Sequence, residues 1–436
     1  MLVFKFGGAS VQDAEGLRRL LRLVQTYGGD SLWIVVSAMG KTTNLLENVV
    51  QAVRDDRWPE AMEFWGQIRE AHLERIRPLR LESGPMSSSP ECPDLEQVLD
   101  TWMNRLLEEL HALRGSQLSY NCFYDQVVGY GELLSTALVS AYFEQNKWGH
   151  RWVDARDLLV TDATWRDARI QWDETVQRIQ EVQGQSLRNQ KGVTCVLTQG
   201  FIGRDGVSGR STTLGREGSD FTASVIAHAL HARELWVWKD VDGVMDADPR
   251  LFPMARLLPT LSYLEAVEMT YYGATVIHPK TIQPLQNKGI PLRVRSFLHP
   301  EAPGTLIGGT DNTDQRHSCV IVKKNQGLLE LVSKDFSFIS EEGLSMIYRA
   351  LYEQGLKANL ARHTAVSFSL VVDNDRYKLQ PVCDALSPFF EIHLTEGLSL
   401  WTLMHQSDKM RRGLLSGKQW LFEQHLNDIY QYVVVE

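Results

Sequence analysis

The sequence lacks the features that would mark a secreted, membrane or nucleic-acid-binding protein. Its five cysteines lie far apart without a Cys-x-x-Cys pair, which excludes zinc-ribbon and thioredoxin-type sites and predicts reduced, structural thiols. No apolar run approaches the ~20 residues of a membrane-spanning helix. The N-terminus has neither the basic nor the apolar region of a signal peptide. We therefore expect a cytoplasmic protein without a membrane partner.

Basic residues are also outnumbered by acidic ones. The 436 residues carry 45 Lys and Arg against 54 Asp and Glu, a net charge of −9. Because nucleic acids reward basic patches, no nucleic-acid partner is expected, although a local anion site remains allowed. What is present is an ordinary globular composition, 43% hydrophobic, in a length that suggests two or three domains.

Short apolar β-rich runs recur in the first three hundred residues, at positions 2–6, 32–37, 193–198 and 235–238. Each is followed by Gly, Ser or Asp and then by helical periodicity, which predicts βα units around a largely parallel sheet. Residues 84–94 are rich in Pro and Ser and read as a loop. One apolar stripe predicts a core-facing helix; its members are Leu95, Val98, Leu99, Trp102, Leu106, Leu110 and Leu113.

A segment rich in Pro, Gly and polar residues, 299–316, predicts a domain boundary. The pattern after it has the order strand, helix, strand, strand, helix, strand, which is the ferredoxin-like arrangement and resembles an ACT domain. These elements are predicted at 328–332, 341–354, 357–360, 365–372, 377–386 and 389–394. The last forty residues add a strand at 398–404, a helical segment around 418–426 and a strand at 432–435.

Two glycine-containing turns follow predicted strands. The first, residues 5–10, can bring main-chain N–H groups to an anion at the start of a helix. Because a Lys within an apolar strand is costly to bury without an anion, Lys5 is expected to point into a cleft. The second turn, residues 37–44, ends another strand, where ligands of open α/β sheets bind. Taken alone, each turn is equally compatible with a purely structural role.

Two further polar segments lie later in the chain. Residues 199–203 and 211–220 place hydroxyls, an Arg and a carboxylate beside glycines, as expected where a carboxylate substrate, phosphates and a metal are held. Residues 238–250 form an Asp-rich loop without EF-hand spacing. That loop is compatible with a solvated turn, but a nucleotide-contacting loop fits better beside the other three motifs.

The order of these motifs resembles the aspartate kinases of the amino-acid kinase superfamily. The matching motifs are residues 5–8, 37–44, Gly131-Glu132, the Thr-Thr-Leu-Gly-Arg…Ser-Asp string at 212–220, and 273–279. The resemblance implies an α/β amino-acid kinase fold, with a mostly parallel central sheet and helices on both faces, plus a C-terminal ferredoxin-like (ACT) α+β domain. The implied domains are 1–308 (catalytic), 318–396 (ACT-like) and 397–436 (a partial second ACT-like segment).

The implied reaction is transfer of the ATP γ-phosphoryl group, with Mg²⁺, to the β-carboxylate of L-aspartate. The product is 4-phospho-L-aspartate, the first step towards lysine, threonine and methionine. A carboxylate is already ionised at neutral pH, so this nucleophile requires no general base. The obstacle is repulsion between anions, so catalysis is expected to consist of positioning and charge neutralisation.

The resemblance also implies roles for individual residues, without a direct protein ligand for a metal. Arg216 resembles the clamp for the substrate α-carboxylate, and Glu132 resembles the partner of its ammonium. The implied catalytic residues are Lys5 and Asp220; the substrate-binding residues are Ser37, Thr43, Glu132 and Arg216; the nucleotide-binding residues are Gly7, Gly8, Ser10, Lys239, Asp240 and Arg250.

The chain departs from the family pattern in several places. Thr275 stands where the family often has a nucleotide-binding Lys, and we hypothesise that Lys239 supplies that charge. Glu217 replaces a frequent Gly, and Met245 replaces a frequent Tyr near the adenine. Only about forty residues follow the first ACT-like pattern, which is short for a second full module.

Several alternatives remain open at this stage. The resemblance implies a homodimer or higher homo-oligomer and an amino-acid effector, lysine or threonine, at the ACT-like region. The leading interpretation is an aspartate kinase without an attached dehydrogenase. A catalytically silent amino-acid sensor and another carboxylate kinase of the same fold are the competing interpretations.

Overall fold

The computed structural model describes residues 1–29, 31–82, 93–189, 194–274, 277–308, 316–335 and 337–436. The chain divides into two compact units. The first comprises Met1–Val244, Leu257–Val267 and Val276–Asp311, and the second comprises Met245–Arg256, Glu268–Thr275 and Asn312–Glu436. Most of the predicted loop at 84–94, and Thr275, lie outside the described residues. Within the described ranges, no helix combines the length and the apolar character needed to cross a membrane.

The first unit is built from short strands. They are β1 (Leu2–Phe6), β2 (Ser31–Val36), β3 (Arg151–Val153), β4 (Val160–Thr161), β5 (Thr194–Gln199), β6 (Ile202–Asp205), β7 (Ser211–Thr213), β8 (Glu234–Lys239), β9 (Thr260–Leu261), β10 (Leu292–Ser296) and β11 (Thr305–Ile307). The main sheet has the order β3-β5-β2-β1-β8-β10-β11-β9, and only β10 and β11 pair antiparallel in its described part. This confirms the predicted largely parallel sheet. A small sheet, β4-β6-β7, stands beside it.

Helices alternate with these strands along the chain. A short 3₁₀ helix, Gly8–Val11, follows β1 directly. The α-helices are α1 (Ala14–Tyr27), α2 (Thr42–Arg54), α3 (Trp58–Glu82), α4 (Leu95–Leu113), α5 (Tyr120–Val128), α6 (Tyr130–Gln145), α7 (Ala155–Leu158), α8 (Trp172–Asn189), α9 (Gly218–Ala229), α10 (Tyr263–Tyr272) and α11 (Pro279–Gln286). The predicted core-facing stripe is confirmed in α4, where five of its seven apolar side chains are buried, together with Met103.

The central strand β1 has two chemically different faces. Side chains alternate along a strand, so Phe4 lies on one face, where it stacks on Trp236 at 5.1 Å, with Tyr27 of α1 tilted against that indole at 5.9 Å. Val3 and Lys5 lie on the other face, against which α9 packs. Helices therefore cover both faces, and Lys5 is a charged side chain in a strand whose residues are all buried.

The second unit contains a six-stranded antiparallel sheet. Its strands are β12 (Cys319–Ser333), β13 (Ala358–His363), β14 (Ser367–Asp373), β15 (Phe390–Met404), β16 (Trp420–Leu426) and β17 (Ile429–Val435), in the order β13-β14-β12-β15-β17-β16. Its helices are α12 (Glu341–Glu353), α13 (Arg376–Leu386) and α14 (Asp408–Leu415). The predicted strand-helix-strand-strand-helix-strand order is confirmed for residues 319–404.

The two longest strands join both halves of this sheet. The strands β12 and β15, each 15 residues long, pair along their length with register shifts near Gln326. The separately predicted strands at 389–394 and 398–404 are therefore one strand. The predicted helix around 418–426 is wrong: these residues form β16, which pairs with β17 and gains a ladder of main-chain hydrogen bonds. The helix lies earlier, as α14, and Ser407 caps it.

A segment from the middle of the chain completes the core beside α14. Ala247 bridges to Val320 at the start of β12, and the ring of Phe252 meets Trp401 edge to face at 5.8 Å. The Trp401 indole also lies 4.5 Å below the Lys418 ammonium. The apolar face of the terminal strands is therefore covered by α14 and by residues of the 245–256 segment.

We expect Trp401→Ala to lower the free energy of unfolding of the second unit by about 3–5 kcal/mol, because the truncation leaves a cavity where Phe252 packs. Urea unfolding followed by circular dichroism would measure the loss. Leu426→Ala, at a side chain that is 72% exposed, should stay within about 0.5 kcal/mol of the parent chain. Equal effects of the two substitutions would contradict the packing described for Trp401.

Candidate active site

A buried ion pair lies where β1 meets α9. The ammonium of Lys5 is 2.6 Å from one carboxylate oxygen of Asp220, whose side chain is fully buried. The helix α9 begins at Gly218, and Glu217 is its N-cap residue. Asp220 therefore lies in the first turn of the helix rather than at its cap, so its side chain reaches β1. A helix N-terminus also favours a negative charge there.

A second lysine completes the charge balance. Lys239, the last residue of β8, places its ammonium 3.7 Å from the other oxygen of Asp220. Burial alone would raise the pKa of this carboxyl, but Lys5 and Lys239 outweigh burial and hold the pKa of Asp220 below its ordinary value. Asp220 is therefore ionised at neutral pH and holds two cationic side chains at the end of the central strands.

Glu217 has an unusual backbone conformation beside this pair. Its φ of 57° is in the left-handed region, which a non-glycine residue rarely adopts. Burial and the neighbouring Asp220 carboxylate raise the pKa of Glu217. Glu217, which replaces a frequent Gly of the family, is thus held in a strained conformation next to Asp220. Such strain is typical of functional sites.

The two glycine turns predicted from the sequence contact each other. The main-chain N–H of Gly40 donates to the carbonyl of Gly8 over 3.1 Å, and that of Ser37 donates to the carbonyl of Phe6. A Cβ atom on Gly8 would lie 2.6 Å from the carbonyl oxygen of Ala38. Only glycine fits at position 8 without moving the second turn, so the turns form one continuous rim at the end of β1 and β2.

A cavity of about 230 Å³ opens at this rim. The structure brings together four of the residues predicted to bind substrate or nucleotide, Gly8, Ser37, Thr43 and Glu132. Gly7 precedes Gly8 in the first turn, and a Cβ atom on Gly7 would lie 3.6 Å from the Lys5 ammonium. The full lining consists of Gly8, Ser37, Ala38, Gly40, Thr43, Glu132, Phe201, Gly215, Glu217, Gly218 and Ser219.

Glu132 is a buried carboxyl at the floor of the cavity. One of its oxygens accepts a hydrogen bond from the main-chain N–H of Ala38 over 3.2 Å. The other oxygen is buried, and the described residues provide no hydrogen-bond partner for it. Burial raises the pKa of Glu132 to about 8, against the opposing effects of the Ala38 hydrogen bond and the Lys5 charge. The unpaired oxygen lining the cavity is suited to receive a cationic group.

The loop that carries Arg216 is anchored from two sides. Asp125 of α5 accepts hydrogen bonds from the N–H and the hydroxyl of Thr213, at 2.9 and 2.8 Å, and from the N–H of Arg166 at 3.0 Å. The ammonium of Lys280 donates to the carbonyl of Leu214 over 2.9 Å. Arg216 itself is exposed and does not line the cavity. Its loop therefore has a defined base and an exposed charged tip.

The sequence interpretation missed both anchors. Asp125 lies in a helix without a motif, and its only signal is a carboxylate among buried apolar neighbours. Burial raises its pKa to about 6, even though the hydrogen bonds from Arg166 and Thr213 oppose this. Lys280 follows the His-Pro pair at the start of α11. Its hydrogen bond to Leu214, which lies far away in the sequence, could not be inferred from the residues around it.

The remaining nucleotide-binding predictions are placed as follows. The Ser10 hydroxyl is buried and lies 3.5 Å from the carbonyl of Trp238. Asp240 is exposed in the loop after β8. Arg250 belongs to the second compact unit, is 85% exposed and pairs with Asp248 over 2.7 Å. The roles assigned to these three residues stay predictions.

Comparison with known proteins identifies the family of this chain. The model of the amino acid kinase family matches residues 1–296. Aspartokinase 1 of Arabidopsis thaliana is 31% identical over 417 residues, covering 92% of this chain and 70% of the relative. The lysine-sensitive aspartokinase 3 of Escherichia coli is 30% identical over 414 residues, covering 93% of this chain and 87% of the relative. The chain belongs to the aspartokinase family.

Solved aspartokinase structures share the fold of this aspartokinase-family chain. Escherichia coli aspartokinase III in complex with lysine and aspartate matches with a TM-score of 0.82 at 26% identity, over 100% of this chain and 96% of the other. The same enzyme in complex with aspartate and ADP matches with a TM-score of 0.78 at 25% identity, over the same shares. Aspartokinase 2 of Arabidopsis thaliana is 32% identical, but this chain spans only 66% of its length.

In this aspartokinase-family chain, Lys5→Met should destabilise the fold more as the pH rises. Without Lys5, the pKa of buried Asp220 rises above its unfolded value near 3.9, so the folded variant binds a proton that the unfolded chain releases. The loss should therefore be small at pH 4, grow by about 1.4 kcal/mol per pH unit above that, and level off at about 3 kcal/mol by pH 7. Urea unfolding at pH 4 and pH 7 measures this loss. Lys288→Met, at an exposed lysine, is the control. A loss that does not depend on pH would contradict the buried pair.

Proposed function

We propose that the chain transfers the γ-phosphoryl group of MgATP to the β-carboxylate of L-aspartate, giving 4-phospho-L-aspartate. The observation that carries this proposal is the Lys5–Asp220 pair at the glycine rim, beside a cavity that contains the unpaired oxygen of Glu132. Cationic groups at a rim of main-chain N–H groups suit phosphates, and a carboxylate suits the ammonium of an amino acid. Escherichia coli aspartokinase III, with aspartate and ADP, provides the family precedent.

The cavity supports a small amino acid as the acceptor. At about 230 Å³ it has room for a four-carbon dicarboxylate. In the proposed complex, Glu132 receives the substrate ammonium, Arg216 reaches over from its anchored loop to the α-carboxylate, and the hydroxyls of Ser37 and Thr43 contact the bound amino acid. The bidentate fork of Arg216 suits a carboxylate better than a lysine would.

The phosphates belong on the other side of the same rim. Gly7 and Gly8 present main-chain donors, and Lys5 stabilises the charge on the transferring group. Asp220 holds Lys5 by its charge at 2.6 Å and keeps Lys239 near the same place. The acceptor carboxylate is already ionised, so these residues act by positioning and charge neutralisation rather than as a general base.

Magnesium enters this scheme with the nucleotide. No cluster of three His, Cys, Asp or Glu side chains suited to hold a metal occurs among the described residues. The glycine turns and Asp220 fit an ion that would be held mainly by phosphate oxygens and water, as magnesium in kinases usually is. Bound magnesium would supply charge neutralisation at the β- and γ-phosphates.

Regulation and assembly are further parts of the proposal. We propose the predicted divisions 1–308, 318–396 and 397–436 as functional regions, with lysine or threonine as an effector at the ACT-like part. The lysine complex of Escherichia coli aspartokinase III supports an effector of this class in the family. A homo-oligomer and a cytoplasmic location complete the proposal, and each is open to direct test.

The proposed reaction predicts ADP release that depends on L-aspartate. In a coupled assay with MgATP, L-aspartate should give turnover of about 1–100 s⁻¹, the ordinary range for kinases. Glutamate should give far less, because its extra methylene moves the side-chain carboxylate away from the position set for aspartate. Acetylglutamate should give far less because it lacks the ammonium that Glu132 receives. Turnover with acetylglutamate instead would favour another carboxylate kinase, and none with any acceptor would favour a silent sensor.

We predict that the binding of aspartate releases a proton from Glu132. With a pKa near 8, Glu132 is mostly protonated at pH 7 and must ionise to pair with the substrate ammonium. The Kd for aspartate should therefore fall on the order of tenfold as the pH rises from 6.5 to 8.5. Calorimetry at pH 7 in phosphate and in Tris buffer measures the released proton. Identical enthalpies in both buffers would contradict this role, whereas Glu132→Gln should bind weakly without proton release.

A further inference from the structure

Arg75 of α3 reaches both turns of the rim from outside the cavity. Its Nε donates to the carbonyl of Gln12 over 2.9 Å, and Gln12 directly follows the 3₁₀ helix of the first turn. Its Nη2 lies 3.1 Å from the position that a Cβ of Gly40 would take, in the second turn. One guanidinium thus hydrogen-bonds to the residue that follows the first turn and lies against Gly40 of the second turn.

The close approach to Gly40 is favoured by the absence of a side chain there. Gly40 has a φ of +56°, and its Cα faces the Arg75 guanidinium, while its N–H donates to Gly8 on the other side. Gln12 also approaches Gly40, with its Cβ 3.8 Å from the same Cβ position. The guanidinium, the end of the first turn and the bend of the second therefore form one packed layer behind the rim.

Stability alone does not account for this arginine. Its Nη1 is buried without a hydrogen-bond partner in the described part of the chain. Burial lowers the pKa of Arg75, against the smaller opposing charges of Glu74 and Asp13. A buried donor that is left unpaired costs free energy, and an apolar side chain of similar length would avoid that cost. The arginine is thus better explained by the two contacts that it makes.

We propose that Arg75 is a positioning residue. It holds the first turn (residues 5–10), where the phosphates are proposed to bind, and the second turn (residues 37–44), where aspartate is proposed to bind, at a fixed separation. The inference rests on the proposed function, because it assumes that both substrates bind along this rim. Arg75 touches neither substrate. It acts through Gln12 and Gly40, so a change in the separation of the two turns would misplace the groups that bind both substrates.

The test compares Arg75→Met with Arg77→Met in the full-length chain. Arg77 lies on the same helix, is 67% exposed and pairs with Glu70 at 3.7 Å, so it is a matched control. We expect Arg75→Met to raise the KM of both MgATP and aspartate at least fivefold, and Arg77→Met to change neither by more than twofold. Partial unfolding would instead lower kcat in proportion to the folded fraction and leave both KM values unchanged.

Two further variants sharpen the result. Arg75→Lys keeps the charge but its single ammonium cannot reach both turns, so its KM values should lie between those of the parent and of Arg75→Met. In Arg75→Ala, added guanidinium ion should lower both KM values again, whereas equal concentrations of urea or sodium chloride should not. Unchanged KM values in Arg75→Met, or a change confined to one substrate, would overturn the proposal. A parent chain without aspartate-dependent ADP release would instead overturn the proposed function.

Discussion

A carboxylate without access to water has to be neutralised within the protein, and Asp220 is such a group. Its charge is balanced by Lys5 from the central strand and by Lys239 from the neighbouring strand. This places two ammonium groups at the carboxyl end of a parallel sheet, where the helix α9 also begins. In the proposed reaction the same cations offset the repulsion between two anionic substrates, so one electrostatic arrangement serves both the fold and the chemistry.

The surrounding elements hold this arrangement from several directions. The glycine rim brings main-chain donors to the pair, and Asp125 and Lys280 anchor the loop of Arg216. Arg75 supports the rim from behind. Several of these contacts come from the helices between residues 58 and 145, so that helical region contributes to the site as well as to the core. In the second unit, the 245–256 segment is likewise part of a core whose other members lie more than sixty residues away.

The parts of the site that the sequence predicted are those with a local signal. Lys5 stood out because a cation in an apolar strand is costly, and the glycine turns stood out because they follow strands. Asp125 and Arg75 could not be predicted, since each lies within a helix and acts on residues far away in the chain. The terminal helix was misplaced for a similar reason: residues 420–426 form a strand because β17 offers a partner, which short-range pattern cannot show. Glu217 and Thr275 were recognised only as departures from the family pattern.

The most direct measurement is a crystal structure of the chain with MgADP, aspartate and an aluminium fluoride group that mimics the transferring phosphoryl. The account predicts that the Lys5 ammonium lies about 3 Å from a fluorine of that group, with the aspartate ammonium on Glu132. An aluminium fluoride group bound away from the glycine rim, with the Lys5–Asp220 pair untouched, would contradict it.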